Sequence, residues 1–126
     1  MEIIKEIVSN NKEYFIQDLK DLIKLSKYGT SSIQDYVLEK FTKLNFIIDD
    51  FNYDPLSINL VEEFAANIVQ SKTNERAIVA KHKGSSDGKS ILLFSHPDTE
   101  KYINDKGWNH DPFEPEIFEN KLHGWG

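Results

Sequence analysis

The N-terminal part of the chain carries apolar residues at the spacing of an amphipathic α-helix. One apolar stripe consists of Ile3, Ile4, Ile7 and Val8, and a second consists of Phe15, Leu19, Leu22 and Ile23. The polar run Ser9-Asn10-Asn11 interrupts the pattern and is suited to start a second helix. We predict helices over residues 2–26, with this interruption, and over 32–44. Gly29 is placed between them as a left-handed cap.

Shorter apolar runs predict strands near 46–51, 76–83 and 90–95. The run Ile91-Leu92-Leu93-Phe94 is typical of a strand that is buried on both faces. Because the turn-forming residues Gly84–Gly88 precede it, we expect it to form a hairpin with the strand before it. A short helix within 56–69 and a hairpin that turns near Glu119 complete the pattern. The predicted class is α/β, with a mixed sheet flanked by helices.

Composition narrows the classes of function. The 126 residues suffice for one compact domain, and 39% of them are hydrophobic. A net charge of −6 without any basic run disfavours nucleic acid as a partner. The sequence shows neither a membrane-length apolar run nor the apolar core of a signal peptide, so we expect a cytoplasmic protein without a membrane partner. With no cysteine, a metal could be held only by histidines and carboxylates.

His96 and Asp98 form the candidate metal-binding pair. They follow the predicted strand directly, and Pro97 between them favours extended backbone. Residues two apart in extended backbone point to the same side. The Asp98 carboxylate could then accept the proton of one ring nitrogen of His96 and leave the other nitrogen for a metal. Ligands in α/β sheets gather at the carboxyl ends of strands, which favours this assignment.

Three motifs lie in the C-terminal third of the chain: Ser95-His96-Pro97-Asp98-Thr99, Trp108-x-x-Asp111-Pro112-Phe113-x-Pro115 and Lys121-Leu122-His123-Gly124-Trp125-Gly126. In order and spacing they resemble the N-terminal part of the M20 family of zinc metallopeptidases and amide hydrolases. This family includes acetylornithine deacetylases, succinyl-diaminopimelate desuccinylases, aminoacylases and zinc carboxypeptidases. The resemblance implies hydrolysis of an amide bond in an N-acyl amino acid or a small peptide.

The resemblance also implies roles for individual residues. His96 would be a zinc ligand, Asp98 the carboxylate that orients it, and the Trp108–Phe113 loop a scaffold beside the cleft. The family holds two zinc ions and uses a glutamate as general base, and its remaining ligands follow the part of the pattern that these residues match. We therefore expect residues 1–126 to be the N-terminal portion of one catalytic domain. By itself this chain should be inactive and should bind Zn²⁺ weakly.

Two alternatives stay open. The chain could be a small non-catalytic α/β interaction module that retains only the scaffold. It could also hold a single metal with His96, Asp98 and either His110 or His123, although the pattern predicts that neither of these histidines, nor His82, is a ligand. A sheet built to continue beyond these residues would expose an unpaired edge, so we expect the isolated chain to be poorly soluble or homo-oligomeric.

Overall fold

The computed structural model describes residues 2–57, 74–84, 88–103 and 107–125. Helix α1 spans Glu2–Asn10, α2 spans Lys12–Ser26 and α3 spans Thr30–Lys43. The predicted helices and the interruption between the first two are confirmed. At that interruption the side-chain amide of Asn11 donates a hydrogen bond to the carbonyl oxygen of Ile7 at 2.8 Å. The backbone N–H of Asn11 donates to the same oxygen at 3.1 Å, so Asn11 closes the last turn of α1 with two hydrogen bonds.

Gly29 separates α2 from α3 in the conformation that the pattern predicts. Its φ angle is +91°, a region that is open to glycine and costly for other residues. The carbonyl oxygen of Gly29 accepts a hydrogen bond from the backbone N–H of Ser32 at 3.2 Å. Helix α3 therefore begins at Thr30, two residues earlier than predicted. The left-handed conformation of Gly29 ends α2 and lets the first turn of α3 start at Thr30.

The chain groups into two units, Met1–Tyr36 with Leu93–Gly126, and Val37–Leu92. The second unit contains strands β1 (Ile47–Tyr53) and β2 (Glu75–Lys81). They pair antiparallel over their whole length, with Ile47 opposite Lys81 and Tyr53 opposite Glu75. The two strands predicted near 46–51 and 76–83 are therefore confirmed.

The first unit contains a second antiparallel pair, β3 (Glu116–Phe118) and β4 (Lys121–His123). Glu119 and Asn120 connect them with φ angles of 49° and 60°. Positive φ at both central residues is the geometry of a two-residue hairpin turn that matches the twist of the strands. The predicted C-terminal hairpin is therefore confirmed.

Apolar side chains of α2 and α3 form the buried part of the first unit. Among the described residues, Ile23 and Ile33 are buried apolar side chains at 8% and 7% exposure, and Pro112 and Pro115 are also buried. The hydroxyl of Tyr36 in α3 donates to the carboxylate of Asp18 in α2 at 2.8 Å. These contacts bring α2, α3 and the C-terminal loops of this unit together.

The prediction of a buried strand over 90–95 is wrong. Residues 88–103 contain neither helix nor strand, and the side chains of Ile91, Leu92, Leu93 and Phe94 are between 83% and 93% exposed. The predicted hairpin is wrong as well, because residues 88–103 supply no strand to pair with β2. An apolar run becomes a strand only where a neighbouring strand satisfies its backbone groups. The described part of the chain places no strand beside this run.

The α/β class, with helices and sheet combined, is confirmed, and the described strands form two antiparallel pairs. Most of the helix predicted within 56–69 lies outside the described residues, which show a short 3-10 turn at Pro55–Ser57. None of the described helices has both the length and the apolar character needed to cross a bilayer. Assignment of residues 1–126 to one catalytic domain stays a prediction.

Candidate metal-binding segment around His96

His96 and Asp98 are in contact, as their spacing predicts. Nδ1 of His96 lies 3.2 Å from Oδ1 of Asp98 and 3.3 Å from its backbone oxygen. Both side chains are largely exposed, at 85% and 72%. If Nδ1 carries the proton and donates it to Asp98, the lone pair of Nε2 stays available to a metal ion. The local chemistry therefore suits one histidine ligand with an orienting carboxylate.

The rings of the other histidines pack against aromatic side chains. The His110 ring packs edge-on against Trp108 with centroids 5.5 Å apart, and the His123 ring does so against Phe118 at 6.4 Å. The Nε2 atoms of both are buried and have no hydrogen-bond partner among the residues that the structure describes. In the second unit, His82 packs on Phe46 at 5.3 Å. Within the ranges that the structure describes, no three histidine or acidic side chains form a group that could hold a metal ion. The single-metal site stays an untested alternative.

The loop that contains Asp111 is held by its own hydrogen bonds. The Asp111 carboxylate accepts the backbone N–H of Phe113 at 2.9 Å, and its backbone oxygen accepts that of Glu114 at 3.0 Å. An aspartate that bonds to the backbone two residues later stabilises a turn. Asp111 therefore acts within the loop, which agrees with the scaffold role expected for this motif.

Two lysines of α2 and its C-terminal turn connect this loop to the helix. Lys24 Nζ lies 2.9 Å from a carboxylate oxygen of Glu114, and this hydrogen bond raises the pKa of Lys24. Lys27 Nζ lies 3.8 Å from Asp111 and 6.0 Å from the centre of the Phe113 ring. All four charged side chains are about half exposed or more, and such pairs contribute little to stability. These two pairs help to set the position of the loop on the helix and add little to the free energy of unfolding.

A pocket of about 240 Å³ lies directly beside the His96 segment. Its walls are the turn between α2 and α3, residues 97 and 99–102, and the side chains of Phe113 and Trp125. Pro97 and Thr99 on either side of Asp98 both line it. The volume suits a small molecule and lies below the range typical of drug-sized ligands. Neither His96 nor Asp98 is among the residues that line it, so the pocket borders this segment through Pro97 and Thr99.

The connection of this segment to Trp125 was not predicted. The indole Nε1–H of Trp125 donates to the backbone oxygen of Glu100 at 3.1 Å, and Tyr102 packs between Phe113 and Trp125. A concentration of aromatic residues after Glu100 is visible in the sequence, but which of them contact each other depends on how the loops fold back. The sequence therefore showed that aromatic residues are concentrated here, but it did not show which of them contact each other.

One curated protein resembles the chain over most of its length. It is the N-formyl-4-amino-5-aminomethyl-2-methylpyrimidine deformylase of Bacillus subtilis (strain 168), which is 28% identical over 119 residues. The match covers 89% of this chain and 24% of that protein, so the chain spans about a quarter of its relative's length. No family model matches the chain. No solved structure matches it either. The chain is thus similar to a small-molecule deformylase, an enzyme that hydrolyses an amide bond.

Proposed function

We propose that the chain is the N-terminal part of a zinc-dependent amide hydrolase of the M20 type, with His96 as a metal ligand and Asp98 as the residue that orients it. The observation that carries this proposal is the 3.2 Å contact between Nδ1 of His96 and Oδ1 of Asp98. The similarity to a deformylase supports the same bond type, since removal of a formyl group from an amine breaks an amide C–N bond.

The described residues fit one part of a zinc site. A catalytic zinc takes about three protein ligands and an open position, and this chain offers the imidazole of His96. Asp98 would hold the ring in one tautomer and make Nε2 a better donor. Bound zinc would supply a Lewis acid for the carbonyl and lower the pKa of a bound water. In this proposal the other ligands and the general base belong to the rest of the complete protein.

The substrate class follows from the bond that is broken. We propose an N-acyl amino acid, a small peptide or another small N-acylated amine, as for deacetylases, desuccinylases, carboxypeptidases and deformylases. The pocket of about 240 Å³ beside Pro97 and Thr99 is compatible with a small substrate. Neither nucleic acid nor a membrane surface is part of the proposal, and a cytoplasmic location goes with it.

A second candidate function is favoured by a different observation. The exposed run from Ile91 to Phe94 is the kind of apolar surface that marks a protein interaction site. A non-catalytic interaction module would use this run to bind a partner and would need no metal. The two candidate functions differ in whether they require His96. An interaction module would bind its partner equally well with alanine at this position.

Zinc titration of the 126-residue chain, followed by the NMR signals of its histidine rings, tests the ligand assignment. We expect weak binding that shifts the His96 signals first and that disappears in His96→Ala. The matched control is His82→Ala, in which the response of His96 should be unchanged. Tight one-to-one binding would contradict the expected weak site, and no response at His96 would contradict its role as a ligand.

Hydrolysis by the protein from the complete reading frame tests the activity. We expect metal-dependent release of the acyl group, complete loss in His96→Ala, and a loss of roughly 10- to 100-fold in Asp98→Asn, since orienting partners of metal ligands have effects of this size. His82→Ala should keep the parent activity. Full activity in His96→Ala would contradict the proposed function and favour the interaction module.

A further inference from the structure

Trp125 forms hydrogen bonds to two separate parts of the first unit. Its backbone N–H donates to the carbonyl oxygen of Pro112 at 2.8 Å. Its indole Nε1–H donates to the backbone oxygen of Glu100 at 3.1 Å. The first bond fixes Trp125 on the loop that contains Asp111. The second connects Trp125 to the segment that begins at His96. Its acceptor, Glu100, lies 25 residues before Trp125 in the sequence.

Aromatic contacts reinforce the second connection. The ring of Tyr102 lies edge-on to Trp125 and to Phe113, with centroids 5.2 Å and 5.3 Å away. Edge-to-face pairs at such distances are favourable beyond the area that they bury. The segment that follows His96 is therefore attached at two places, by the oxygen of Glu100 and by the ring of Tyr102.

The backbone next to Trp125 is itself tightly packed. A Cβ atom at Gly124 would lie 3.0 Å from Cγ2 of Ile23 and 3.2 Å from Cβ of Pro115. Ile23 and Pro115 are both buried. Trp125 therefore extends from a well-packed part of the unit, and its side chain can hold in place a neighbouring segment that has neither helix nor strand.

The His96 segment needs such support from outside. Residues 96–100 have neither helix nor strand, and the His96 side chain is 85% exposed, so neither a backbone ladder nor core packing fixes its position. The contact between His96 and Asp98 is internal to the segment and moves with it. The hydrogen bond from Trp125 and the packing of Tyr102 relate the residues just after His96 to the packed part of the unit.

We propose that Trp125 is a positioning residue for His96, and that its indole N–H holds the 96–100 segment where a metal ligand is needed. This inference rests on the proposed function, because the position of the His96 side chain is important only if His96 binds a metal. A metal ligand must be held within a fraction of an ångström by the residues around it. Trp125 would act through the backbone of Glu100 and would not touch the metal or the substrate.

The experiment compares Trp125→Phe with Trp108→Phe. Both variants lose an indole, and the two rings are neighbours with centroids 6.3 Å apart, but among the described residues only the Trp125 indole N–H has an acceptor. We expect backbone ¹⁵N order parameters at residues 98–101 to fall from about 0.85 to below about 0.6 in Trp125→Phe. They should stay at the parent level in Trp108→Phe. Order parameters in α2 and α3 report whether each variant is folded.

A second variant isolates the hydrogen bond if Trp125→Phe fails to fold. Benzothienylalanine at position 125 replaces the indole N–H with sulfur and keeps the shape of the ring. We expect this replacement to loosen residues 98–101 as well. It should also weaken the zinc affinity read from the His96 ring signals roughly threefold to tenfold, the factor in a binding constant expected for one hydrogen bond.

Each outcome has a consequence for the inference. Equal loosening by the variants at 125 and 108 would show that ring packing alone matters and would overturn it. Unchanged order at 98–101 would overturn it as well, and so would loosening without any change in the zinc response of His96. A parent chain whose His96 signals ignore zinc would contradict the proposed function instead, and the order parameters would still decide whether Trp125 holds the segment.

Discussion

At the scale of single residues, Gly124 shows how a sequence position acquires a physical requirement from its surroundings. The residue has no side chain of its own, yet Ile23 and Pro115 approach the place where a Cβ would be to within 3.0–3.2 Å. Contacts this short force the neighbours to shift, and both neighbours are buried and unable to move freely. Close approach of backbone to a helix is the reason for glycine here.

We expect Gly124→Ala to destabilise the chain by about 1–3 kcal/mol, the usual cost of adding a methyl group to a filled space. Urea unfolding followed by circular dichroism measures the difference. Gly84→Ala is the matched control, because a Cβ at Gly84 would meet nothing within 4 Å among the described residues. That variant should be neutral or slightly more stable. Equal effects of the two substitutions would mean that the packing around Gly124 is not as tight as the structure shows.

His96 illustrates the opposite case, a residue whose role is independent of packing. Its side chain is 85% exposed, so replacement by alanine removes almost no buried surface. We expect His96→Ala to change the free energy of unfolding by less than about 0.5 kcal/mol, as is usual for exposed sites. Urea unfolding of the 126-residue chain measures it, and a large loss would show that His96 has a structural role.

At the scale of elements, the β1–β2 pair contains a charged contact between neighbouring strands. Arg76 donates two hydrogen bonds to the Asp50 carboxylate, from Nε at 2.7 Å and from Nη2 at 2.8 Å. Arg76 lies opposite Asn52, so Asp50 is its diagonal neighbour across the strands. The guanidinium hydrogen bonds lower the pKa of Asp50 below its usual value of 3.8. This pair specifies the register of the two strands.

The lowered pKa predicts how stability depends on pH. Because the folded state holds the Asp50 proton more weakly than the unfolded state, the contribution is fully present above about pH 4 and is lost as pH falls through the lowered pKa. We expect Asp50→Asn to remove this acid dependence, measured as thermal stability between about pH 2 and 6. Asp49→Asn, at the alternate position of the same strand, is the control. An unchanged acid profile in Asp50→Asn would contradict the assignment.

At the scale of the whole molecule, the described chain exposes much apolar surface. The apolar stripe of α1 and the run from Ile91 to Phe94 are both largely accessible to water. Monomeric proteins rarely expose contiguous apolar surface of this kind. The expectation that the isolated chain is poorly soluble or homo-oligomeric stays a prediction, and these exposed residues are its physical reason.

We expect the combined change of Leu92→Ser and Phe94→Ser to reduce self-association without reducing the free energy of unfolding, since these side chains are 84% and 93% exposed. Sedimentation velocity measures the first effect, and urea unfolding measures the second. Ile33→Ala is the contrasting variant, because Ile33 is 7% exposed and its truncation should cost about 2–5 kcal/mol. A parent chain that sediments as a monomer would contradict the prediction.

Local patterns by themselves determined the helices, the break at Asn11, the left-handed Gly29, the C-terminal hairpin and the contact of His96 with Asp98. Each of these depends on residues within a few positions of one another, so helical periodicity, turn preferences and extended geometry predict them. The state of Ile91–Phe94 was mispredicted because four apolar residues suit a strand only when another strand lies beside them. Among the described residues β2 pairs with β1, and no strand lies beside Ile91–Phe94.

Tertiary structure alone decided what lies around the candidate site. The bond from Trp125 to Glu100 spans 25 residues, and the contact of Gly124 with Ile23 joins opposite ends of the chain. No local preference links such positions, because their contact depends on how the helices and loops pack together. The sequence by itself therefore identified His96 and Asp98 as a pair, whereas the residues that hold this pair in place emerged only from the fold.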